Sequence, residues 1–279
     1  LSKYHKITLI AGVEKFEELT ANLLLLGIES LEETDNSLVF YTDDNIKYGT
    51  DEIVSALKNR FPDINIEVNE SPEKNWNEIW ARSIEPVYIK DKIVIYPSWK
   101  KKSINLNIPV KIEIDPKMSF GTGHNETTQL VLELMGDYIS KNDKYMLDFG
   151  SGTGILGIAG IKMGIEKVIA IDIDDDAIIN SKEYFINNNV SDSVTLYQCR
   201  LSDISETGFD VIAANIISGV IKSNIDTVHS KLKQNGKLFL SGILNTELGE
   251  ISDFLNNNGF KIKKTLEKAE WLGIYCLKK

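Results

Sequence analysis

From residue 145 to the C-terminus, short apolar runs alternate with segments of helical period. That alternation restricts the chain to a mostly parallel sheet covered by helices. Strands read at residues 145–149, 167–172, 193–198, 209–214 and 237–241, and helices at 155–163, 175–188, 218–233 and 246–257. Two last strands, 261–266 and 271–277, follow with no helix between them, so the sheet is expected to end in an antiparallel hairpin.

The N-terminal third has a different rhythm. Residues 6–11 read as a strand, and Val13, Phe16, Leu19, Leu23 and Leu26 mark a helix that Gly27 stops. Strands at 28–33 and 37–41 flank an Asp35-Asn36 turn. A helix over 50–60, capped by Thr50 or Asp51, ends before Pro62, and 64–68 alternates as another strand. The order strand, helix, strand, strand, helix, strand is the ferredoxin-like split unit, an α+β domain expected over residues 1–69. Residues 70–115 read as a polar linker containing Pro72 and a small hairpin, 87–89 with 93–96, turning at Asp91-Lys92. Trp76, Trp80 and Trp99 fall in this stretch, as a recognition surface or as packing anchors. The third segment is 116–279.

Composition removes several classes. Hydrophobic residues are 42% and charged residues 26%, as in an ordinary globular protein. No apolar run approaches the roughly 20 residues needed to span a bilayer, and Leu23–Leu26 is far too short. No signal-peptide pattern precedes it. Cys199 and Cys276 stand apart from each other and from any histidine cluster, which argues against disulfides and structural zinc and suits a reducing cytosol. The net charge of −10 favours a basic protein or a small molecule as partner over direct nucleic-acid binding. A cytoplasmic monomer without metal or membrane association is expected.

The densest local signal is Leu147-Asp148-Phe149-Gly150-Ser151-Gly152-Thr153-Gly154, at a strand-to-helix turn. Its glycines allow a tight turn and close approach of a ligand to the main chain. Gly152-x-Gly154-x-x-Gly157 also satisfies the dinucleotide fingerprint, with Asp172 at the spacing of a ribose-binding acid. Charge bears on the choice. A pyrophosphate favours the helix N-terminus, and an acid at Asp148 would repel it. The sulfonium and ammonium of S-adenosylmethionine would be attracted. Asp148 either serves that cationic ligand or caps the loop backbone. Asp172 can accept both ribose hydroxyls of either cofactor. Asp174 to Asp176 read as caps of the next helix, and Asp203, beyond the third strand, as an ordinary loop acid or a contact for the adenine. Asn215, at the end of the fourth strand, offers a donor and an acceptor to an amine or a cofactor, or caps a turn.

A second polar loop, 118–128, precedes a helical run over 129–138 and reads as a flap over the cofactor, with Phe120 and Thr122 among its contacts. Thr127 or Thr128 is a plausible helix cap there. His124 is a weak general-base candidate and, lacking partner ligands, a weaker metal ligand.

Taken together, Asn75-Trp76-Asn77-Glu78-Ile79-Trp80, Tyr96-Pro97-Ser98-Trp99, Ile114-Asp115-Pro116, Phe120-Gly121-Thr122-Gly123, Thr127-Thr128, the stretch Asp148–Gly154 and Asn215-Ile216 resemble the ribosomal protein L-eleven methyltransferase family. The resemblance covers nearly the whole chain. It implies a seven-stranded Rossmann-like methyltransferase sheet behind a ferredoxin-like substrate-recognition domain. It implies S-adenosylmethionine as cofactor, and methyl transfer to the α-amine and lysines of one large-subunit ribosomal protein. Family cofactor contacts fall on Thr128, Gly150, Asp172 and Asn215, beside Gly152, Gly154 and Asp148 of the loop. The commoner family wording after Phe-Gly-Thr-Gly is Thr-His-Pro-Thr-Thr. Here it is His124-Asn125-Glu126-Thr127-Thr128, so the histidine is displaced by one position while Thr128 aligns. An NAD-dependent oxidoreductase and a methyltransferase acting on RNA or another protein are the alternatives.

Overall fold

The computed structural model describes residues 4–28, 31–34, 36–42, 48–71, 84–115 and 123–279. The chain forms two compact units, Leu1–Ser83 and Ile84–Lys279.

In the first unit β1 (Tyr4–Ile10), α1 (Phe16–Leu25), β2 (Glu32–Thr34), β3 (Ser37–Thr42), α2 (Thr50–Arg60) and β4 (Asn65–Ser71) follow in order. The sheet order is β2-β3-β1-β4 with every neighbour antiparallel, the arrangement of a split βαβ pair. Alternation on β1 buries Ile7 and Leu9, which pack with Leu38 and Phe40 of β3 and with Leu19, Leu23, Ile53 and Leu57 of the helices. Three local details differ from the sequence reading. The second strand is Glu32–Thr34 rather than 28–33. Val13–Lys15 is a single 3-10 turn rather than the start of α1, and Val13 is exposed. Gly49, not Thr50 or Asp51, caps α2, with the Glu52 carboxylate accepting its N–H at 3.0 Å. The Thr50 hydroxyl is instead bonded to that of Thr42 on β3, 2.7 Å away.

The second unit opens with a three-stranded sheet. The expected hairpin, β5 (Val87–Ile89) and β6 (Ile93–Tyr96), gains a parallel neighbour, β7 (Val110–Glu113). That strand buries Val110 and Ile112 and leaves Lys111 and Glu113 half-buried. Asn188 completes its edge: the side-chain oxygen accepts from Glu113 N at 2.9 Å and Nδ2 donates to Glu113 O at 2.7 Å.

The remaining elements are α3 (Glu126–Tyr138), β8 (Tyr145–Phe149), α4 (Ile155–Lys162), β9 (Lys167–Asp172), α5 (Asp175–Asn187), β10 (Val194–Gln198), β11 (Phe209–Asn215), α6 (Ser218–Lys231), β12 (Leu232–Leu244), α7 (Leu248–Asn257), β13 (Phe260–Lys268) and β14 (Trp271–Lys278). Their sheet runs β10-β9-β8-β11-β12-β14-β13. The first five strands are parallel, and β14 is antiparallel to both its neighbours, as the missing helix predicted. Strand order reverses between β8 and β11, which creates a crevice at their carboxyl ends. α6 ends two residues early because Leu232 leaves the helix, is buried, and pairs with Phe209.

Alternation along β8 sends its side chains into two different cores. Leu147 and Phe149 join the core shared with Ile221, Ile225, Ile251 and Leu255. Met146 joins the opposite core, with Val131, Met135, Ile158 and Tyr184. Asp148 is the next residue on the Met146 side.

Candidate active site

A cleft of about 1110 Å³ opens at the carboxyl ends of β8, β9, β10 and β11. One wall is the glycine loop. Gly150, Gly152 and Gly154 all have positive φ, at 72°, 53° and 77°. A Cβ on Gly150 would lie 2.5 Å from Ile216 Cγ2, and one on Gly154 would lie 2.5 Å from the Phe185 ring. Gly150 N and Ser151 N donate to Ile171 O at 3.0 and 2.9 Å, which fixes the loop over the end of β9.

Asp172, the last residue of β9, lines the cleft. Its Oδ2 accepts from Gly152 N at 2.8 Å, and Oδ1 accepts from Ile173 N at 2.7 Å and Asp174 N at 3.1 Å. A carboxylate offers about four acceptor positions, so one remains for a ligand without displacing a backbone partner. Asp174 caps α5, accepting from Asp176 N at 2.8 Å. Asp174 and Asp176 also line the cleft, beside the exposed apolar side chain of Ile173.

Asp148 takes the second of its two readings, a bond to helix backbone just past the loop, and is absent from the described cleft lining. Its carboxyl is wholly buried beneath the loop, where Oδ2 accepts from Gly157 N at 2.8 Å and Oδ1 meets no hydrogen-bond partner among the described residues. Burial pushes it up to about 8, against the opposing bond from Gly157; the charge of Asp172 pushes the same way. Burial favours its neutral form, and the side chain supports α4 rather than lining the cleft. Charge near the ligand comes instead from Asp172, Asp174 and Asp176, with Arg200 the cation among the described lining residues.

Asn215 ends β11 on the opposite wall. Its Nδ2 donates to Thr128 Oγ1 at 3.1 Å, so two residues 87 positions apart meet as a pair. Thr128 lies in the first turn of α3 and is fully buried. Neither Thr127 nor Thr128 caps that helix: Asn125 holds the N-cap position without a side-chain bond. The two carbonyls before the helix, Gly123 O and His124 O, each accept from Gln129 Nε2 at 3.0 Å. His124 is exposed, with Nε2 3.3 Å from Glu85 O. Phe120 and Thr122, like Trp76 and Trp80, lie outside the described residues.

Sequence reasoning missed the β10 side of the cleft, where Cys199, Arg200 and Ser202 contribute, and the α6 side, with Ser223 and Asn224. The rule that ligands bind beyond strand carboxyl ends pointed to 199–202. Asp203, considered there, turns back to accept from Arg200 N at 3.1 Å and from the Ser202 hydroxyl at 2.9 Å, and both bonds hold its carboxyl below the usual range. Burial pushes the Cys199 thiol up. No group of three or more His, Cys, Asp or Glu suited to a metal occurs among the described residues.

The cleft chemistry fits a cationic nucleoside: an acid at the ribose position, apolar Ile171 and Ile173 for a base, and a loop open to the main chain. Residues 12–279 match the family model described as Ribosomal protein L11 methyltransferase (PrmA). The chain is 36% identical over 208 residues to a ribosomal protein L11 methyltransferase of Listeria welshimeri, covering 74% of this chain and 66% of that protein. A protein of the same name from Ruminiclostridium cellulolyticum is 36% identical over 208 residues, covering 74% and 65%. These matches span slightly less than two thirds of the curated relatives' length. A crystal structure titled ribosomal protein L11 methylase, from Lactobacillus delbrueckii subsp. bulgaricus, superposes with a TM-score of 0.65 at 28% identity, covering 70% of this chain and all of that one. The chain belongs to the ribosomal protein L11 methyltransferase family.

Proposed function

We propose that the protein transfers methyl groups from S-adenosylmethionine to amines of ribosomal protein L11, its α-amine and lysines. The observation that carries the proposal is the pairing of a glycine loop tied to Asp172 with an Asn215 amide across the same cleft, in a member of this family. Asp172 and the backbone of Gly150 and Gly152 hold the nucleoside. Asn215 faces the reacting end. The first unit, residues 1–83, recognises the ribosomal protein, and the second, residues 84–279, carries the cofactor.

The bound cofactor supplies an electrophilic methyl group, so the protein's task is positioning. Alignment of two reactants removes on the order of 7–11 kcal/mol of barrier. The acceptor must be neutral. Deprotonating a lysine at pH 7 costs roughly 4.6 kcal/mol from its reference pKa, and an α-amine only about 1 kcal/mol. The α-amine is therefore the easier acceptor, and lysine depends on desolvation in the cleft. Of the lining carboxylates, Asp172 and Asp174 are committed to backbone N–H groups, and the proton goes to water before attack.

The test is incubation with methyl-labelled S-adenosylmethionine and purified large-subunit proteins, with mass mapping of the product. Label on L11 amines is the expected result. Label on RNA, or calorimetry giving tight NAD binding and no S-adenosylmethionine binding, refutes the proposal.

A further inference from the structure

Ile217 breaks a local rule. It holds the N-cap position of α6, where Ser, Thr, Asp or Asn ordinarily bonds the free N–H groups of the first turn, and its side chain makes no such bond. Ser218, one residue on, turns its hydroxyl away to donate to Glu247 Oε1 at 2.5 Å. The Ile217 side chain is 68% exposed and lines the cleft, as does Val220. Single exposed isoleucines are ordinary on a protein surface. One that takes the place of a helix cap at a ligand cleft forgoes stability there, and such breaches of local preference gather at functional sites.

The backbone that carries Ile217 fits against two glycines of positive φ. The Ile216 side chain leaves no room for a Cβ on Gly150, and its main chain leaves none on Gly242, at φ +81°, where a Cβ would lie 2.4 Å from Ile216 O and 2.7 Å from Ile216 C. Gly242 sits in a bulge of β12. Leu240 pairs with Ile274 and Ile243 with Leu272, so Ser241 and Gly242 together stand opposite Gly273. Ile216 N donates to Ser241 O at 3.2 Å, and the buried Ser241 hydroxyl donates to Leu272 O at 2.7 Å. This fit fixes the Ile216 main chain, and with it the start of Ile217, at the cleft.

We infer that Ile217 is a specificity-determining residue: its side chain, with Val220, packs on the aliphatic stem of an acceptor lysine. This rests on the proposed amine methylation. A lysine offers a four-carbon stem to such a surface, and an α-amine has no stem to offer. Apolar contact also withdraws the lysine nitrogen from water, which favours its neutral, reactive form. Ile217 thereby offsets part of the protonation cost that sets lysine behind the α-amine. Ile171 and Ile173, at the end of β9, serve the base of the cofactor, which leaves the apolar side chains at the β11–α6 junction to the acceptor.

The experiment compares I217S, I217L, G242A and G164A in the full chain, with L11 and methyl-labelled S-adenosylmethionine. Mass mapping reads initial rates of labelling at the lysines and at the α-amine of the same substrate, and calorimetry reads cofactor affinity. Serine suits a helix cap, so I217S is expected to melt at or above the wild-type temperature. Its lysine-to-α-amine ratio should fall about tenfold or more, the discrimination that a methylene contact supplies, with cofactor affinity within about twofold. I217L, which keeps the apolar volume, should restore the ratio. G242A drives the Ile216 main chain aside and should lower the ratio as well. Gly164 shares a positive φ, +109°, but a Cβ there meets nothing within 4 Å, so G164A should keep the wild-type ratio. An unchanged ratio in I217S, a loss shared by G164A, or a fall of cofactor affinity equal to the fall in lysine labelling would overturn the inference. Wild-type labelling confined to the α-amine would overturn it too, while leaving amine methylation intact. A wild-type chain that binds cofactor but methylates no amine would instead overturn the proposed function.

Discussion

Asparagine at position 148 isolates the cost of burying an acid beneath the glycine loop. The wild-type carboxyl is fully buried and pushed from 3.8 up to about 8, chiefly by desolvation. Its folded value lies above the unfolded one, so its contribution to stability is complete below about 4. It is lost as pH rises, because the unfolded chain has released a proton that the folded chain retains. Each pH unit in that window costs about 1.4 kcal/mol, so roughly 4 kcal/mol disappears between pH 5 and pH 8, with the slope flattening near 8. Asparagine is neutral throughout and keeps an oxygen to accept the Gly157 N–H. Its extra amide hydrogens enter the place where Oδ1 already lacks a partner, a fixed cost of about 1–3 kcal/mol. Asp148→Asn is therefore expected to gain on wild type by about 3–4 kcal/mol from pH 5 to pH 8, whatever the offset at pH 5. Because the chain has two compact units, urea unfolding should be followed by hydrogen exchange of peptides from β8 and α4 rather than by a whole-chain signal. A difference that stays constant across this range, or one that grows toward acid pH, would refute the burial of a neutral acid.

Asp172→Ala should weaken S-adenosylmethionine binding by about 1–3 kcal/mol, measured by calorimetry, since it removes the ribose acceptor and the bond from Gly152 N. Gly150→Ala should destabilise the second unit by at least about 1 kcal/mol in thermal melts and weaken cofactor binding, because φ is +72° and the added Cβ would meet Ile216 at 2.5 Å. Removal of residues 1–83 should abolish labelling of L11 while leaving cofactor affinity within a fewfold, because the second unit keeps its own cores. Retained labelling would remove the recognition role of the first unit.

Much of the architecture was legible because it depends on period and punctuation. β8 and β9 have the bounds read from their apolar runs, 145–149 and 167–172, and Gly27, at φ +85°, closes α1 through a conformation that other residues resist. Features that escaped depend on partners distant in sequence. β7 alternates over only four residues, and its pairing with β6 is what makes it a strand. Leu232 leaves α6 for a place beside Phe209, which no local propensity encodes. The sequence left two roles open for Asp148 for the same reason. Spacing places an acid two residues before a glycine, whereas its charge state follows from the helix packed above it and the core face it shares with Met146. The Thr128–Asn215 bond joins residues 87 apart, and only the fold brings them together.

Cation preference in this cleft resides at the β9–α5 junction, not in the glycine loop. Burial favours the neutral form of the Asp148 carboxyl, which does not line the cleft. The described lining residues carry three aspartates, 172, 174 and 176, against one arginine, 200, a balance of 1 − 3 = −2. At an effective dielectric of about 20, a unit charge 8 Å from one of these carboxylates gains or loses about 2 kcal/mol. The N-terminus of α5 offsets part of the charge on Asp174, whose carboxylate caps it, and the N-terminus of α4 adds about half a positive charge behind the loop. The two helix ends together do not reverse a balance of −2. A doubly anionic pyrophosphate laid across this junction is repelled, while a sulfonium and an ammonium are attracted. Asp172 suits the ribose of either cofactor, so the preference for a cation over a pyrophosphate rests on Asp174 and Asp176.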